Sequence, residues 1–408
     1  MRVKILFGII SLIGFWNIGL SQNPVDIHGQ LAISGSKITN ESGDTVSFAG
    51  PSFFWSNTGW GGEKYYKKEV VSWVKNDWGA TIVRAAMGVD DNGGYLTYPA
   101  NKTRVKTIVD AAIAEGIYVI IDWHSHHAED YLSQSQAFFK EMAETYGDYP
   151  NVLYEIYNEP LKVSWNNVVK PYADSVIRVI RDIDPDNIII VGSPNWCQRI
   201  DTVADNPITS YDNIAYSMHF YAGTHTQWLR DRTLQAITKG IPIIVSEWGT
   251  VLADGSGDVA YTETNAWVEF MRANKLTHCN WALNDKSEGA SALKYNASTL
   301  GNWSANSLTP SGTLAREIIK NWEHSYVAIE DISEHTIAVL YTQANNSIAI
   351  EPMAGEHIHI SLCNITGREL FRNQAQYNTE ISTESLTPGV YILRVWNSNG
   401  SMTFKFVK

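Results

Sequence analysis

Short apolar segments alternate with longer amphipathic segments from about Val46 to Trp322, and this alternation is the strongest constraint on the fold. The short segments are rich in β-branched residues, which is typical of strands in a buried parallel sheet. Repeated βα units of this kind build either an open sheet or a closed barrel. The eight predicted strands are Val46–Gly50, Thr81–Ala85, Tyr118–Asp122, Val152–Ile156, Ile188–Val191, Ile214–His219, Pro242–Ser246 and His278–Ala282.

The longer segments repeat apolar residues at spacings of three and four, which predicts helices that pack on the strands. Three of them should end at Gly116, Gly147 and Gly240. Eight βα pairs favour a closed (β/α)8 barrel, the TIM barrel fold, and no glycine-rich phosphate loop of an open sheet is present. Residues His28 to Thr45 should form a hairpin that closes the barrel floor. The predicted helices are Glu63–Trp78, Arg104–Glu115, Tyr131–Tyr146, Ser164–Asp182, Gln227–Lys239, Glu263–Ala273 and Thr313–Trp322.

After Trp322 the helical periodicity ends, and short alternating strands separated by polar turns follow. This pattern predicts a small all-β sandwich. We therefore expect a barrel domain at residues 22–325 and a sandwich domain at residues 326–408. The predicted strands of the sandwich are Ile337–Tyr341, Ser347–Ile350, His357–Leu362, Gly389–Trp396 and Met402–Val407.

The first 21 residues have the pattern of a signal peptide. Arg2 and Lys4 precede an apolar run that ends at Asn17, and small residues lead to a predicted cleavage site near Ser21. The run is shorter than the about 20 residues that a membrane-spanning helix needs. We therefore expect a protein that is secreted or held on the outer cell surface.

Charge and cysteine content exclude two classes of protein. The formal net charge is −12, which disfavours a nucleic-acid partner. The three cysteines, Cys197, Cys279 and Cys363, are widely spaced and odd in number, so we expect free thiols rather than a disulfide framework. Aromatic residues make up 12% of the chain and include 15 Trp, some of which should line a binding surface.

Two glutamates follow predicted strands at the ends where a parallel barrel carries its active site. Glu159 comes after the fourth strand and Glu247 after the seventh. A single glutamate in such a place is ordinarily a surface carboxylate. Here, polar and aromatic groups at other strand ends accompany the pair, and two carboxyl groups about 5–5.5 Å apart are what hydrolysis of a glycosidic bond with retention requires. The accompanying residues are Arg84, His124, His219, Tyr221 and Trp281.

Longer stretches around these residues resemble the glycoside hydrolases of family 5, and specifically their bacterial endoglucanase subfamily 2. The resemblance covers roughly residues 28 to 322, with no departure at the residues the family uses for catalysis. It implies a secreted endo-β-1,4-glucanase that cleaves internal bonds of cellulose and related β-glucans by a retaining double displacement. The matching stretches are Phe54–Lys64, Ile120–His127, Tyr154–Pro160, His219–His225 and Asn280–Lys286.

The resemblance also implies a role for each polar residue near the pair. Glu159 is expected to be the general acid/base and Glu247 the nucleophile. Arg84 and the hydroxyl of Tyr221 would keep the nucleophile ionised. Asn158 would hydrogen-bond the 2-hydroxyl of the sugar, an interaction that strengthens in the transition state.

Other residues are expected to bind and orient the sugar. His124 and His219 would act as donors that orient the sugar and the acid/base. Trp281 would form the floor under the reacting sugar, and Lys286 and Glu288 would hydrogen-bond more distant glucose units.

Two pairs of residues keep two interpretations. Trp55 and Trp60 are candidates for a further stacking platform, although one of them is equally well explained as a core residue. His126 and His127 are equally well explained as structural histidines. We expect no cofactor and no metal ion.

The tail resembles the C-terminal sorting domain of type IX secretion cargo in the Bacteroidetes. The segments that carry this resemblance are Thr366–Leu370, Leu386–Val395 and Lys405–Lys408. It implies that outer-membrane secretion machinery exports the protein, with the tail removed or kept for surface attachment. A carbohydrate-binding sandwich is the alternative, but Trp396 is the one tryptophan after Trp322.

Other functions remain as alternatives. The barrels of family 5 include enzymes that act on mannan, mixed-linkage glucan or xyloglucan, and fold alone does not separate them. A metal-dependent amidohydrolase-type barrel could use His124 and His126 with His219 and Asp285, but that class carries its HxH pair on the first strand. A catalytically inactive sugar-binding barrel is a third interpretation. We expect a monomer.

Overall fold

The computed structural model describes residues 23–322 and, beyond them, 338–342, 347–351, 357–364, 368–376, 379–387, 390–397 and 400–407. The predicted signal peptide, its cleavage site at Ser21, and the predicted strand residues Ile337 and Gly389 lie outside the described residues. Within the described residues, no helix combines the length and apolarity that crossing a bilayer requires.

Eight parallel strands form a closed barrel in which neighbours follow chain order and the last strand pairs with the first. All eight predicted strands are present, with ends within three residues of the prediction. A two-stranded antiparallel hairpin precedes them. The hairpin is β1 (Ala32–Ser34) and β2 (Lys37–Thr39), and the barrel is β3 (Ala49–Phe53), β4 (Ile82–Gly88), β5 (Tyr118–His124), β6 (Val152–Glu155), β7 (Ile189–Gly192), β8 (Ile214–Tyr221), β9 (Ile243–Gly249) and β10 (His278–Leu283).

Helices connect the strands, and all seven predicted helices are present. The predicted helix at 164–182 begins with a π-helical turn, Trp165–Val169, before regular α-helix. One helix between β7 and β8, α6, was not predicted, since six residues are too few to show an amphipathic repeat. The α-helices are α1 (Pro24–His28), α2 (Lys68–Trp78), α3 (Ala100–Glu115), α4 (Leu132–Tyr146), α5 (Lys170–Arg181), α6 (Ile200–Asp205), α7 (Gln227–Thr238), α8 (Tyr261–Asn274) and α9 (Pro310–Lys320).

The two ends of the barrel interior differ in polarity. At the amino end, Leu31 and Ile38 of the hairpin pack with Phe48, Tyr118 and Ile120 in one buried apolar cluster, so the hairpin closes the floor as predicted. Toward the carboxyl ends of the strands, buried charged side chains replace the apolar ones. This polar end of the barrel is where catalytic residues lie in enzymes of this fold.

The C-terminal region contains two antiparallel sheets, in the orders β11-β12-β15 and β14-β13-β16-β17. Ile348 and Ile381 of the first sheet and Ile360 and Leu393 of the second belong to one buried cluster, which is the predicted sandwich. Strands β14 and β15 were not predicted from the sequence. β14 is polar and mostly exposed along its length, so it lacks the apolar alternation typical of a strand. The strands are β11 (Ala338–Thr342), β12 (Ser347–Glu351), β13 (Ile358–Asn364), β14 (Glu369–Ala375), β15 (Thr379–Ser382), β16 (Val390–Asn397) and β17 (Gly400–Val407).

Candidate active site

Glu159 and Glu247 meet at the carboxyl end of the barrel. Glu247 lies within β9, and Glu159 follows β6 at a distance of four residues. One carboxylate oxygen of each lies within 4.8 Å of the other, although both side chains are largely buried. An inverting glycosidase needs a separation of about 6.5–9.5 Å to admit water between its carboxyl groups. The pair therefore has the spacing of a retaining mechanism.

Two donors hold Glu247 in place. Arg84 Nη1 donates to Oε2 at 2.9 Å, and the Tyr221 hydroxyl donates to Oε1 at 2.7 Å. Burial and the charge of Glu247 raise the pKa of Tyr221 well above its usual range, so the hydroxyl keeps its proton and remains a donor. Glu247 thus receives one hydrogen bond from a charged donor and one from a neutral donor, and together they fix its position beside Glu159.

His219 holds Glu159 from the side. Its Nδ1 lies 2.9 Å from Oε1 of Glu159, and its Nε2 lies 2.9 Å from the hydroxyl of Ser246. Burial opposes charge on this ring, but the carboxylate of Glu155, 3.8 Å from Nε2, and the hydrogen-bonded carboxylate of Glu159 outweigh it and raise the pKa of His219 to about 9. Burial alone would raise the pKa of Glu159, and the hydrogen bond and charge of His219 lower it. The two groups therefore behave as one pair.

Arg84 has further partners that the sequence analysis missed. Its guanidinium also contacts Glu155 at 2.7 Å, Asp122 at 3.0 Å and Asn158 Oδ1 at 2.6 Å, and all of these side chains are buried. Because the amide oxygen of Asn158 accepts from Arg84, the N–H2 group of Asn158 faces away from Arg84. Asp122 and Glu155 each lie inside an apolar strand, which could have indicated that they pair with a buried cation. Acidic groups are rarely buried without a charged partner.

His124 occupies the opposite wall and is uncharged. Its Nδ1 lies 2.6 Å from Asp122 Oδ2, and burial together with the charge of Arg84 holds the pKa of His124 well below its usual range. The contact with Asp122 fixes the orientation of the ring, and His124 also lines a cavity together with Glu159 and Glu247. The ring lies parallel to Trp281, with centroids 5.0 Å apart.

The predicted sugar-contacting residues line one cavity with the two glutamates. Its volume is about 270 Å³, and its walls include Trp281 together with Lys286 and Glu288, which form an ion pair at 2.9 Å. Trp55 and Trp60 both reach the same cavity, with ring centroids 5.4 Å apart. Both tryptophans therefore belong to the binding cleft while also packing against the aromatic cluster beneath it.

A second cavity of about 240 Å³ lies on the other side of the carboxylate pair and shares Glu159 and Glu247 with the first. Trp196, which the sequence analysis did not select, lines it and is 37% exposed. This side chain stands on a left-handed turn, because Asn195, Trp196 and Cys197 have φ values of 59°, 53° and 57°. Left-handed backbone is unfavourable for residues other than glycine. Such a turn has no repeating pattern of apolar residues, so Trp196 could not be selected from the sequence.

The remaining histidines divide between the cleft and the surface. His126 lines the first cavity, and its Nδ1 lies 3.2 Å from the backbone carbonyl of Glu159. His127 is exposed and bonds Ser125 Oγ through its backbone N–H. His126 is therefore positioned to interact with the cleft, whereas His127 lies outside it.

The metal-binding alternative is not supported by the geometry. The predicted His124–His126 pair does not converge with Asp285, which is paired with Lys64 at 2.7 Å. Within the described residues, three side chains do gather with potential ligand atoms in range, namely Glu159, His219 and Glu247. The Arg84 guanidinium, 2.9 Å from Glu247, would repel a cation there.

A (β/α)8 barrel with this carboxylate pair and aromatic cleft defines a glycoside hydrolase. Residues 39–287 match the family described as Cellulase (glycosyl hydrolase family 5). The chain is 52% identical over 309 residues to Endoglucanase Z of Dickeya dadantii, an alignment that covers 76% of this chain and 69% of that protein. The chain therefore belongs to glycosyl hydrolase family 5.

Solved structures agree with this assignment. A structure from Cytophaga hutchinsonii has a TM-score of 0.71 and 47% identity, and the alignment covers 73% of this chain and 97% of that one. The catalytic domain of Thermobifida fusca endoglucanase Cel5A, a variant in complex with cellotetraose, has a TM-score of 0.69 and 30% identity over 73% of this chain and all of its own.

The C-terminal region matches a second family. Residues 343–408 match the secretion system C-terminal sorting domain, so the tail is a type IX sorting domain, as the sequence predicts. The chain accordingly combines a catalytic barrel with a signal for export to the cell surface or the extracellular space.

Proposed function

We propose that the protein is a secreted endo-β-1,4-glucanase that hydrolyses internal bonds of cellulose and related β-glucans with retention of configuration. The observation that best supports this proposal is the pair of buried carboxyl groups within 4.8 Å of each other in a cleft lined by tryptophans. Relatives that bear the name endoglucanase, and the related structure that holds cellotetraose, support β-glucan as the substrate.

In the first step a carboxylate oxygen of Glu247 attacks the anomeric carbon, and the bond from that carbon to the leaving oxygen breaks. Glu159 gives its proton to the leaving oxygen, so the departing chain leaves as an alcohol. The amide N–H2 group of Asn158 donates to the sugar 2-hydroxyl as positive charge develops on the ring. The product of this step is a glycosyl ester on Glu247.

In the second step water enters on the side of Glu159, which is now a carboxylate. Glu159 takes a proton from the water, the water oxygen bonds to the anomeric carbon, and the ester bond to Glu247 breaks. Two successive inversions at the same carbon give net retention. Arg84 and Tyr221 stabilise the carboxylate that is released from the ester.

The shape of the cleft supports attack on internal bonds. The cavities on either side of the carboxylate pair share Glu159 and Glu247, so a chain can extend in both directions from the bond that is cleaved. Trp55, Trp60 and Trp281 face one side and Trp196 the other. Flat aromatic surfaces match the apolar faces of glucose units.

Export is the second part of the proposal. We infer that a signal peptide is cleaved near Ser21, that the barrel domain spans residues 22–325, and that the sandwich domain, residues 326–408, delivers the enzyme to outer-membrane machinery. The match of residues 343–408 to the sorting domain supports the last of these inferences.

The experiment that tests this function is product analysis by proton NMR during hydrolysis of cellohexaose. We expect internal cleavage with the β-anomer appearing first. Glu247→Ala should reduce turnover by roughly 10⁴-fold or more while retaining affinity for cellohexaose. Glu159→Ala should still be glycosylated by an aryl cellobioside whose leaving group needs no proton, and azide should restore its turnover.

Glu288→Ala is the matched control, because it removes another carboxylate from the same cleft. It should raise KM and leave kcat close to that of the wild type. Initial formation of the α-anomer, or an equal loss of kcat in all three variants, would contradict the proposed roles.

A further inference from the structure

The cleft continues beyond the two cavities that flank the carboxylate pair. A third cavity, of about 640 Å³, shares Lys286 and Glu288 with the first cavity and shares no lining residue with the second. The three cavities therefore form one series. Glu159 and Glu247 lie between the second and the first, and the ion pair of Lys286 and Glu288 lies between the first and the third. The volume of the third cavity is within the about 300–1,000 Å³ typical of ligand pockets.

The walls of the third cavity come from the loops that follow β9 and β10 and from the start of α9. These two loops pack closely together. The backbone N–H of Ala290 donates to the carbonyl of Gly255 at 3.0 Å, and a Cβ on Gly289 would lie 2.2 Å from the carbonyl oxygen of Gly257. Because both loops follow the carboxyl ends of barrel strands, the third cavity lies at the same end of the barrel as the catalytic pair.

Two tyrosine rings and several polar groups line this cavity. Tyr295 is 77% exposed and Tyr261 is 36% exposed. Asp258, Ser287 and Lys294 are exposed as well, and their side chains make no hydrogen bond or ion pair with the described part of the chain. Flat rings can cover the apolar face of a sugar, while these polar groups can donate to and accept from its hydroxyl groups.

The charges that line the third cavity balance one another. Lys286 and Lys294 are cationic, and Asp258 and Glu288 are anionic. A strongly charged ligand would therefore gain little from the potential of the cavity, whereas an uncharged ligand is not disfavoured. This balance indicates a neutral sugar chain rather than an acidic one.

The backbone on both sides of Tyr295 is anchored. The N–H of Lys294 donates to the carbonyl of Ser307 at 2.9 Å, and the N–H of Asn296 donates at 2.9 Å to Oδ2 of Asp285, whose carboxylate is ion-paired. The exposed ring of Tyr295 thus stands on a loop that is fixed before any ligand binds. A sugar that stacks on this ring would lose little free energy in ordering the loop.

The third cavity lies on the side of the cleft that holds the part of the chain attached to Glu247 during the reaction. Trp281, the expected floor under the reacting sugar, lines the first cavity and does not line the second. The units joined to the reacting sugar therefore extend through the first cavity towards Lys286 and Glu288, and the departing units lie in the second cavity.

We propose that the third cavity is a further subsite, in which Tyr295 and Tyr261 bind a glucose unit of an uncharged β-glucan beyond the units that contact Lys286 and Glu288. This inference rests on the proposed endoglucanase function and adds a reason for the enzyme to prefer long chains. Binding at a remote subsite lowers the free energy of the transition state relative to free enzyme and substrate. The value of kcat/KM should therefore increase with chain length until the third cavity is filled.

The first test compares Tyr295→Ala with the wild type on cellohexaose and on an aryl cellobioside. We expect kcat/KM on cellohexaose to fall roughly five-fold, as loss of one stacked ring predicts. The aryl cellobioside should be affected much less, because two glucose units are too few to reach the third cavity. Tyr295→Phe retains the ring and should retain most of the activity on cellohexaose.

The second test is the position of cleavage in cellohexaose labelled at its reducing end. Loss of the Tyr295 ring weakens binding on the side of the chain that stays on Glu247, so fewer units should lie there. The labelled fragments should therefore become longer in Tyr295→Ala than in the wild type. Tyr98→Ala is the control, because Tyr98 is 45% exposed and lines none of the three cavities, and it should change neither measurement.

Three results would overturn the inference: equal losses of kcat/KM on cellohexaose and on the aryl cellobioside, labelled fragments of unchanged length in Tyr295→Ala, or the same losses in Tyr98→Ala. Failure of the proposed function itself would be visible separately, because the wild type would then not hydrolyse cellohexaose.

Discussion

One guanidinium organises the reaction centre. Arg84 contacts the carboxyl groups of Asp122, Glu155 and Glu247, so three buried acidic groups surround one guanidinium. Burial raises the pKa of Asp122 well above its usual range, which reduces this imbalance of charge. Such an imbalance is costly in a folded protein unless the charges are hydrogen-bonded, and here each is. The resulting negative potential favours the positive charge that develops on the sugar ring in the transition state.

At the residue scale, Trp196 yields a testable expectation. Its ring borders the second cavity, which Trp281 does not line and where we expect the departing part of the chain to lie. Trp196→Ala should lower kcat/KM on cello-oligosaccharides by roughly 10-fold, as loss of one stacked ring predicts, and should affect aryl cellobiosides much less. Steady-state kinetics on both substrate classes measure the difference.

Trp228 provides the control for that variant. It is 42% exposed, and the guanidinium of Arg232 lies 5.1 Å from the centre of its ring. In the same way, the ammonium group of Lys162 lies 5.6 Å from the ring centre of Trp196. It does not line either part of the cleft. Equal kinetic losses in Trp228→Ala and Trp196→Ala would refute the role given to Trp196.

At the scale of elements, the helix ends depend on particular glycines. Gly116 ends α3 in the left-handed region at φ 68°, and a Cβ there would lie 2.1 Å from the side chain of Asn23. Gly240, after α7, is also left-handed at φ 89°, but its Cβ would meet nothing within 4 Å. A substitution at Gly240 therefore tests backbone strain alone, whereas a substitution at Gly116 tests backbone strain together with steric overlap.

We expect Gly240→Ala to reduce the free energy of unfolding by about 1 kcal/mol, the cost of left-handed backbone for a residue with a Cβ. Gly116→Ala should reduce it by more, because α1 must also move. Urea denaturation followed by circular dichroism measures both values. A smaller loss for Gly116→Ala than for Gly240→Ala would show that the contact with Asn23 relaxes without cost.

The same elements show what sequence can predict and why. Strands and long helices follow from their periods, and Glu159 and Glu247 follow from their positions at strand ends. The inner network of hydrogen bonds among Glu155, Ser217 and Ser246 depends on the register between neighbouring strands, which a linear pattern does not specify. Trp196 depends on an unusual backbone conformation, for which the sequence carries no periodic signal.

At the scale of the whole molecule, the barrel and the tail have separate cores. Within the described residues, the buried clusters of the barrel and the cluster of the C-terminal sheets share no side chain. A chain that ends at residue 325 should therefore keep the kcat, KM and melting temperature of the barrel. Kinetics and calorimetry on the truncated and full-length proteins test this, and a drop of several degrees in the melting temperature of the barrel would contradict it.

The chemistry and the walls of the cleft come from different parts of the barrel. Arg84, His219, Tyr221 and Glu247 lie within strands, whereas Trp60, Trp196, Lys286 and Glu288 lie on the loops above them. Strands that are hydrogen-bonded on both sides tolerate little change, and loops tolerate a great deal. Replacement of these loops would therefore change which polysaccharides bind in the cleft and leave the reaction centre unaltered.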